Sequence, residues 1–186
     1  GDVVALCEQL GRPAVVGASL GGLAAMMAIG ERPDVEVASA LVLVDVAPRV
    51  EPEGAHKITS FMSAHVDDGF ESLEAVADAI QAFNPHRPRP ADLSGLRKNL
   101  RQRDDGRWVW HWDPAYITGI LGDPDESRRT RLDPGRLQSA VRALALPTLL
   151  VRGRMSDLLS EEGAREMLEL APHARYVDVA GAGHMV

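Results

Sequence analysis

An octapeptide near the start of the chain constrains the fold more than any other segment. Residues 15–22 read V-V-G-A-S-L-G-G, so a short apolar strand runs directly into a G-x-S-x-G turn centred on Ser19. A serine hydroxyl becomes an effective nucleophile when a base lies beside it and the backbone holds it clear of neighbouring atoms. A sharp strand-to-helix turn meets the second condition. We predict that Gly17 and Gly21 avoid side-chain collisions in this turn, and that the following helix directs its first N–H groups at the site.

Two further apolar strands end shortly before residues that would complete a catalytic set. Residues 147–153 are followed by Asp157, and residues 175–179 are followed by His184. Open parallel sheets collect their catalytic groups at the carboxyl ends of their strands. Ser19, Asp157 and His184 are therefore predicted to converge at one edge of a sheet.

The order serine, acid, histidine and four local motifs resemble the α/β-hydrolase fold family, which includes esterases, carbon–carbon bond hydrolases and cofactor-free haloperoxidases. The matching motifs span nearly the whole chain: G-A-S-L-G-G at 17–22, L-V-L-V-D-V-A-P at 41–48, L-L-V-R-G-R-M-S-D at 149–157 and A-G-A-G-H-M-V at 180–186. The resemblance is specific for the fold and for the catalytic triad. It does not specify the substrate.

The resemblance implies an α/β fold that corresponds to the C-terminal half of an α/β-hydrolase parallel sheet with a mainly helical cap insertion. Strands five to eight of that sheet are expected at roughly 13–18, 40–46, 147–152 and 175–179. The expected segments are hydrolase core at 1–48, cap at 49–146 and hydrolase core at 147–186. On this interpretation the chain lacks the N-terminal strands and the last helix of a full-length member. The first strand would then have no inner neighbour and would leave an apolar edge.

The resemblance also implies a role for each site residue. His184 takes the proton of Ser19, the serine Oγ attacks a carbonyl carbon, and the Leu20 N–H helps to hold the oxyanion. Asp157 fixes the imidazole tautomer. Asp45 is the alternative acid, because some members of the family place the acid after the sixth strand. Asp157 is preferred because its strand-then-G-x-x-x-D pattern matches closely, whereas Asp45 is predicted to lie within its strand.

The predicted cap contains three alternating tryptophans. Trp108, Trp110 and Trp112 would share one face of an extended segment. They are interpreted either as an apolar wall of the substrate pocket or as rings that hold the cap to itself or to the main sheet. Helical spacing of apolar residues predicts helices over 70–83 and 93–100, and a third helix begins at Asp133-Pro134.

Composition excludes several other classes of protein. The net charge of −7 gives no reason to expect nucleic acid or an anionic membrane as a partner, and no apolar run approaches the ~18–20 residues that span a bilayer. The single cysteine, Cys7, excludes a disulfide framework. His111 and Asp113 have no further metal ligands at suitable spacing. We expect a small-molecule acyl substrate, no cofactor, no metal and a cytoplasmic location.

These observations predict a serine hydrolase that cleaves a carboxylic ester or related acyl substrate through an acyl-enzyme. Carbon–carbon bond hydrolysis and cofactor-free haloperoxidase chemistry are alternatives within the family. A catalytically silent fragment, or a binding scaffold of the same fold, is the alternative from another class. A short-chain dehydrogenase is disfavoured because Leu23 interrupts the G-x-x-x-G-x-G pattern and neither Tyr116 nor Tyr176 has a lysine four residues later.

Overall fold

The computed structural model of the protein describes residues 1–85, 87–113, 115 and 133–184. Tyr116 and the last two residues of the 180–186 motif lie outside this set. The chain divides into two compact units. The sheet unit comprises Gly1–Ala55 with Leu132–Val186, and the insertion unit comprises His56–Arg131.

Helices and strands alternate in the sheet unit, whereas the described part of the insertion unit contains helices and a small hairpin. In chain order the described elements are α1 (Asp2–Gln9), β1 (Ala14–Ala18), α2 (Leu20–Gly30), β2 (Ala40–Val44), α3 (Pro52–Ser63), α4 (Leu73–Phe83), a 3-10 helix (Ser94–Asn99), β3 (Leu100–Gln102), β4 (Trp108–Trp110), α5 (Pro134–Arg142), β5 (Thr148–Gly153), α6 (Glu161–Leu170) and β6 (Arg175–Val179). No helix among the described residues is long and apolar enough to cross a lipid bilayer.

The sheet unit contains a parallel sheet in the order β1-β2-β5-β6. The predicted α/β fold with a parallel sheet is confirmed, and each predicted strand is present to within two residues. Because all four strands run in the same direction, their carboxyl ends meet at one edge of the sheet. Among the described residues β1 pairs with β2 alone, and its residue Val16 is 67% exposed.

The core of the sheet unit forms where α2 and α5 pack together beside the central strands. Leu41, Leu43 and Leu150 are fully buried in β2 and β5, and Met26 of α2 is fully buried against them in the same cluster. Burial of each such side chain contributes roughly 1.5–3 kcal/mol to folding. The packing of α2 against α5 is close, because a Cβ at Gly30 would collide with the Ala140 backbone.

The boundary of the insertion differs from the prediction. The expected cap at 49–146 is longer than the observed insertion unit, since α5 belongs to the sheet unit. Asp133 nevertheless begins this helix as predicted, and its side chain accepts a hydrogen bond from Gly135 N at 2.9 Å. The sequence shows that α5 has an apolar face. It does not show whether that face packs against a helix of the cap or against α2.

The insertion unit has its own apolar core around the hairpin of β3 and β4. Its buried members are Phe70, Val76, Leu100, Trp108 and Trp110. The predicted helix at 70–83 is α4, which begins after the N-cap Ser72. The predicted helix at 93–100 is wrong. A short 3-10 helix stands there, and Leu100 begins β3, because its backbone pairs with Trp110 across the hairpin.

Candidate active site

Ser19 lies in a sharp turn between β1 and α2. Its φ of 49° and ψ of −124° fall in a region that non-glycine residues rarely adopt. Hydrogen bonds hold this backbone in place: Ser19 N donates to Val44 O at 3.2 Å, and Ser19 O accepts from Gly22 N and Leu23 N at 3.0 and 3.1 Å. The turn therefore fixes the Oγ at the start of the helix.

Two glycines allow the strand and the helix to approach each other at this turn. A Cβ at Gly17 would lie 2.7 Å from Gly21 O and from Gly22 N. A Cβ at Gly22 would lie 2.8 Å from Gly17 O and would also meet the Val46 side chain. The prediction for Gly21 is wrong, because a Cβ there would meet no atom within 4 Å other than those of its chain neighbours and of its own helix backbone. The crowded pair is Gly17 and Gly22.

Asp45 follows the last residue of β2 and is completely buried. Its positive φ of 52° turns the chain out of the strand. Its Oδ1 accepts a hydrogen bond from Gly153 N at 2.8 Å, and its Oδ2 accepts one from Ser156 Oγ at 2.5 Å. The same Oδ2 lies 2.8 Å from His184 Nδ1. A buried carboxylate needs such partners, because desolvation without them is costly.

His184 connects Asp45 to Ser19. Its Nδ1 faces the Asp45 carboxylate, and its Nε2 lies 3.2 Å from Ser19 Oγ. The loop that carries the histidine is tied to the end of β5, since Met155 N donates to Ala182 O at 2.8 Å. A Cβ at Gly153 would collide with the backbone of this loop. Close backbone packing thus places the imidazole, whose side chain is 12% exposed.

The structure brings Asp45, and not Asp157, to His184. The preference for Asp157 as the acid is therefore corrected. Asp157 is exposed on the loop after β5. The residue before it, Ser156, is the one whose side chain contacts Asp45. The sequence predicts a strand that ends at residue 46 and contains Asp45, whereas β2 ends at Val44. The signal for Asp45 was a carboxylate directly after a fully apolar strand.

The remaining predicted residues lie at different places. Leu20 is the first residue of α2, where backbone N–H groups have no acceptor within the helix. Trp108 and Trp110 are each 9% exposed in the insertion core, and Trp112 stacks on Trp110 with ring centroids 4.5 Å apart. This placement favours the packing role for these rings. Among the described residues, no cluster of three or more His, Cys, Asp or Glu side chains suits a metal ion.

A second group of polar residues, centred on the buried Arg152, supports the loop after β5. Arg152 Nε donates to Leu159 O at 2.7 Å, and its Nη1 donates to Asp178 Oδ1 at 3.0 Å. Tyr176 donates its phenolic proton to the same Oδ1 at 2.6 Å. The hydrogen bond from Tyr176 is the largest cause that lowers the pKa of Asp178 below its ordinary value, and the hydrogen bond from Arg152 lowers it further. Burial is the main reason that the pKa of Tyr176 is raised.

A hydroxyl, an imidazole and a buried carboxylate in series form an arrangement that can activate a serine. The carboxylate accepts from one ring nitrogen, which leaves the other free to accept the serine proton. The nearby helix N-terminus adds N–H groups that favour negative charge.

Comparison with known proteins identifies the family. The sequence model of the Alpha/beta hydrolase family matches residues 1–186. The esterase Rv0045c of Mycobacterium tuberculosis is 33% identical over 177 residues, which cover 92% of this chain and 54% of the relative. The 3-hydroxybutyrate-oligomer hydrolase of Cupriavidus necator is 28% identical over 190 residues, which cover 98% of this chain and 63% of the relative. The chain thus spans between half and two thirds of the length of these relatives.

Solved structures agree with the sequence comparison. The crystal structure of E-2-(acetamidomethylene)succinate hydrolase superposes with a TM-score of 0.75 at 26% identity, over 98% of this chain and 64% of that chain. The structure of the Mycobacterium tuberculosis esterase has a TM-score of 0.69 at 30% identity, over 100% of this chain and 61% of that chain. The chain belongs to the alpha/beta hydrolase family.

Proposed function

We propose that the protein is a serine hydrolase that cleaves a carboxylic ester or a related acyl substrate through an acyl-enzyme. The nucleophile is Ser19, the general base is His184 and the acid is Asp45. The observation that carries the proposal is the continuous series from Asp45 Oδ2 through the imidazole to Ser19 Oγ, at 2.8 and 3.2 Å. The esterase and hydrolase names of the relatives agree with this chemistry.

The proposed reaction follows from the hydrogen-bond directions. The Asp45 carboxylate can only accept, so His184 carries a proton on Nδ1 and leaves Nε2 free. The Ser19 proton moves to Nε2 as the Oγ attacks the carbonyl carbon, and Asp45 stabilises the resulting imidazolium. The imidazolium then gives its proton to the leaving alkoxide as the tetrahedral intermediate collapses. Water, deprotonated by the same imidazole, releases the acyl group and regenerates the serine.

The Leu20 N–H is the proposed donor to the oxyanion. It is at the first position of α2, directly after the nucleophile. Backbone donors placed in this way favour the negative charge that develops on the carbonyl oxygen, and loss of one donor typically costs about 10²–10³ in rate. The helix N-terminus adds to the same effect.

The proposal is tested by covalent labelling with a fluorophosphonate probe and by hydrolysis of p-nitrophenyl acetate. The unmodified protein should react with the probe and turn over the ester, and Ser19→Ala should do neither. Thermal melts establish that both proteins are folded. A folded unmodified protein without labelling or turnover would instead support a catalytically silent scaffold. Labelling that persists in Ser19→Ala would move the nucleophile to another residue.

A further inference from the structure

Ser156 contacts the buried carboxylate of Asp45 from the loop between β5 and α6. Its Oγ lies 2.5 Å from Asp45 Oδ2, the same oxygen that faces His184 Nδ1. The proposed proton-transfer series does not require this hydroxyl. Its placement on the oxygen that pairs with the imidazole nevertheless makes Ser156 relevant to the geometry of that series.

The direction of this hydrogen bond is determined by the groups around the hydroxyl. Leu158 N and Leu159 N donate to Ser156 Oγ at 3.1 and 3.2 Å. These two donors occupy the accepting positions of the oxygen, and an ionised carboxylate has no proton to give. The hydroxyl proton of Ser156 is therefore committed to Asp45. Hydrogen bonds of this kind, from a hydroxyl to a charged oxygen, are short and strong.

The loop that presents Ser156 is held at both ends. Ser156 N donates to Gly153 O at 2.9 Å. At the other end, Arg152 Nε donates to Leu159 O, and Arg152 is 7% exposed. Asp178 on the adjacent strand fixes the guanidinium. Hydrogen bonds therefore hold the backbone on both sides of Ser156, so that its side chain is kept next to Asp45.

We propose that Ser156 is a positioning residue that orients the Asp45 carboxylate toward His184. This inference rests on the function proposed above. On its other oxygen, Asp45 Oδ1, the carboxylate receives Gly153 N. The Ser156 hydroxyl adds a second fixed donor on Oδ2, so the two oxygens are distinguished and rotation of the carboxylate is opposed. Without it, the carboxylate spends less time in the orientation that pairs with the imidazole.

The test uses four variants of the protein with p-nitrophenyl acetate as substrate. Ser156→Ala removes the hydroxyl, while Ser156→Thr and Ser156→Val differ from each other only in a hydroxyl against a methyl group. Ser160→Ala is the matched control. Ser160 also donates to a carboxylate, Glu51 Oε1 at 2.5 Å, and accepts a backbone N–H, from Gly163 at 3.1 Å, but it contacts no member of the proposed triad.

The expected result is a loss of kcat of roughly 10-fold in Ser156→Ala and Ser156→Val, as for removal of a hydrogen bond to a charged group. KM should stay within about twofold of its unmodified value, because the group acts on the imidazole and touches no substrate. Ser156→Thr should retain most of the activity, and Ser160→Ala all of it. In proton NMR spectra the downfield signal of the His184 Nδ1 proton should shift in Ser156→Val and not in Ser160→Ala.

Equal kcat values for Ser156→Val and Ser156→Thr would overturn the proposal, as would an equal loss in Ser160→Ala. Failure of the Ala and Val variants to fold, while Ser156→Thr and Ser160→Ala fold, would also overturn it by assigning the hydroxyl to folding. Failure of the proposed function is recognised separately, since the folded unmodified protein would then not hydrolyse the ester, or ester hydrolysis would survive in Ser19→Ala.

Discussion

Asp45 and His184 are separated by 139 positions in the chain, yet the Asp45 Oδ2 and His184 Nδ1 atoms lie 2.8 Å apart. The two residues come together because they follow parallel strands of the same sheet. β2 carries Asp45 at its carboxyl end, β5 lies next to it, and β6 leads into the loop of His184. Three neighbouring strand ends therefore bring an acid and an imidazole from distant segments to one edge.

The pairing of Asp45 with His184 predicts which aspartate matters for activity. Asp45→Asn replaces one carboxylate oxygen by an amide N–H₂ group. Either that group or the remaining, less basic oxygen then faces two hydrogen-bond donors, the His184 Nδ1–H and the Ser156 hydroxyl. The imidazole then favours the wrong tautomer, and kcat for p-nitrophenyl acetate should fall by about 10⁴. Asp157→Asn, the matched control, should leave kcat within about twofold. A large loss in Asp157→Asn with an active Asp45→Asn would return the acid to position 157.

The crowding around the nucleophile turn predicts opposite effects at neighbouring glycines. Gly17→Ala and Gly22→Ala force a Cβ against backbone atoms and should each lower the free energy of unfolding by about 1–3 kcal/mol. Gly21→Ala points into open space within α2 and should raise it by roughly 0.5–1 kcal/mol. Urea denaturation followed by circular dichroism measures all three. A destabilised Gly21→Ala beside an unaffected Gly22→Ala would contradict this packing.

Asp178 should contribute a pH-dependent part of the stability. Because the hydrogen bonds from Tyr176 and Arg152 lower its pKa in the folded state, its contribution is present above the ordinary carboxyl pKa and is lost as the pH falls through the lowered value. At neutral pH Asp178→Asn should therefore be less stable than the unmodified protein by about 1 kcal/mol. The difference should shrink with acidification. Urea denaturation at a series of pH values measures it, and a constant difference across the series would be inconsistent with this origin.

Two helix N-caps should contribute similar amounts in the two units. Ser72 accepts from Ala75 N at 3.1 Å at the start of α4, and Asp133 accepts from Gly135 N at 2.9 Å at the start of α5. Replacement of either residue by alanine should lower the free energy of unfolding by about 1 kcal/mol. Thermal melts monitored by circular dichroism test this. Replacement by asparagine, which can also cap, should restore most of the loss, and a failure to restore it would argue against capping.

Local patterns along the chain were sufficient to predict the four parallel strands and the turn around Ser19. A run of apolar residues indicates a strand that is buried on both faces, and the spacing of glycines indicates a tight turn. Each of these patterns lies within a few consecutive residues. His184 was predicted for the same reason, from a small-residue loop after an apolar strand. These features depend on interactions between residues that are close together in the sequence, so the sequence alone is enough to predict them.

The identity of the acid, the crowded glycine and the partner of α5 depended on the packing of distant segments. Asp45 and Asp157 both follow an apolar strand, and the choice between them comes from where β2 ends and how the loop after β5 turns. Likewise, a Cβ at Gly22 would meet Gly17 of β1 and the Val46 side chain, whereas a Cβ at Gly21 would meet neither. These features are determined by which backbone segments lie close together and which groups form hydrogen bonds in the folded chain. A pattern of consecutive residues does not contain that information.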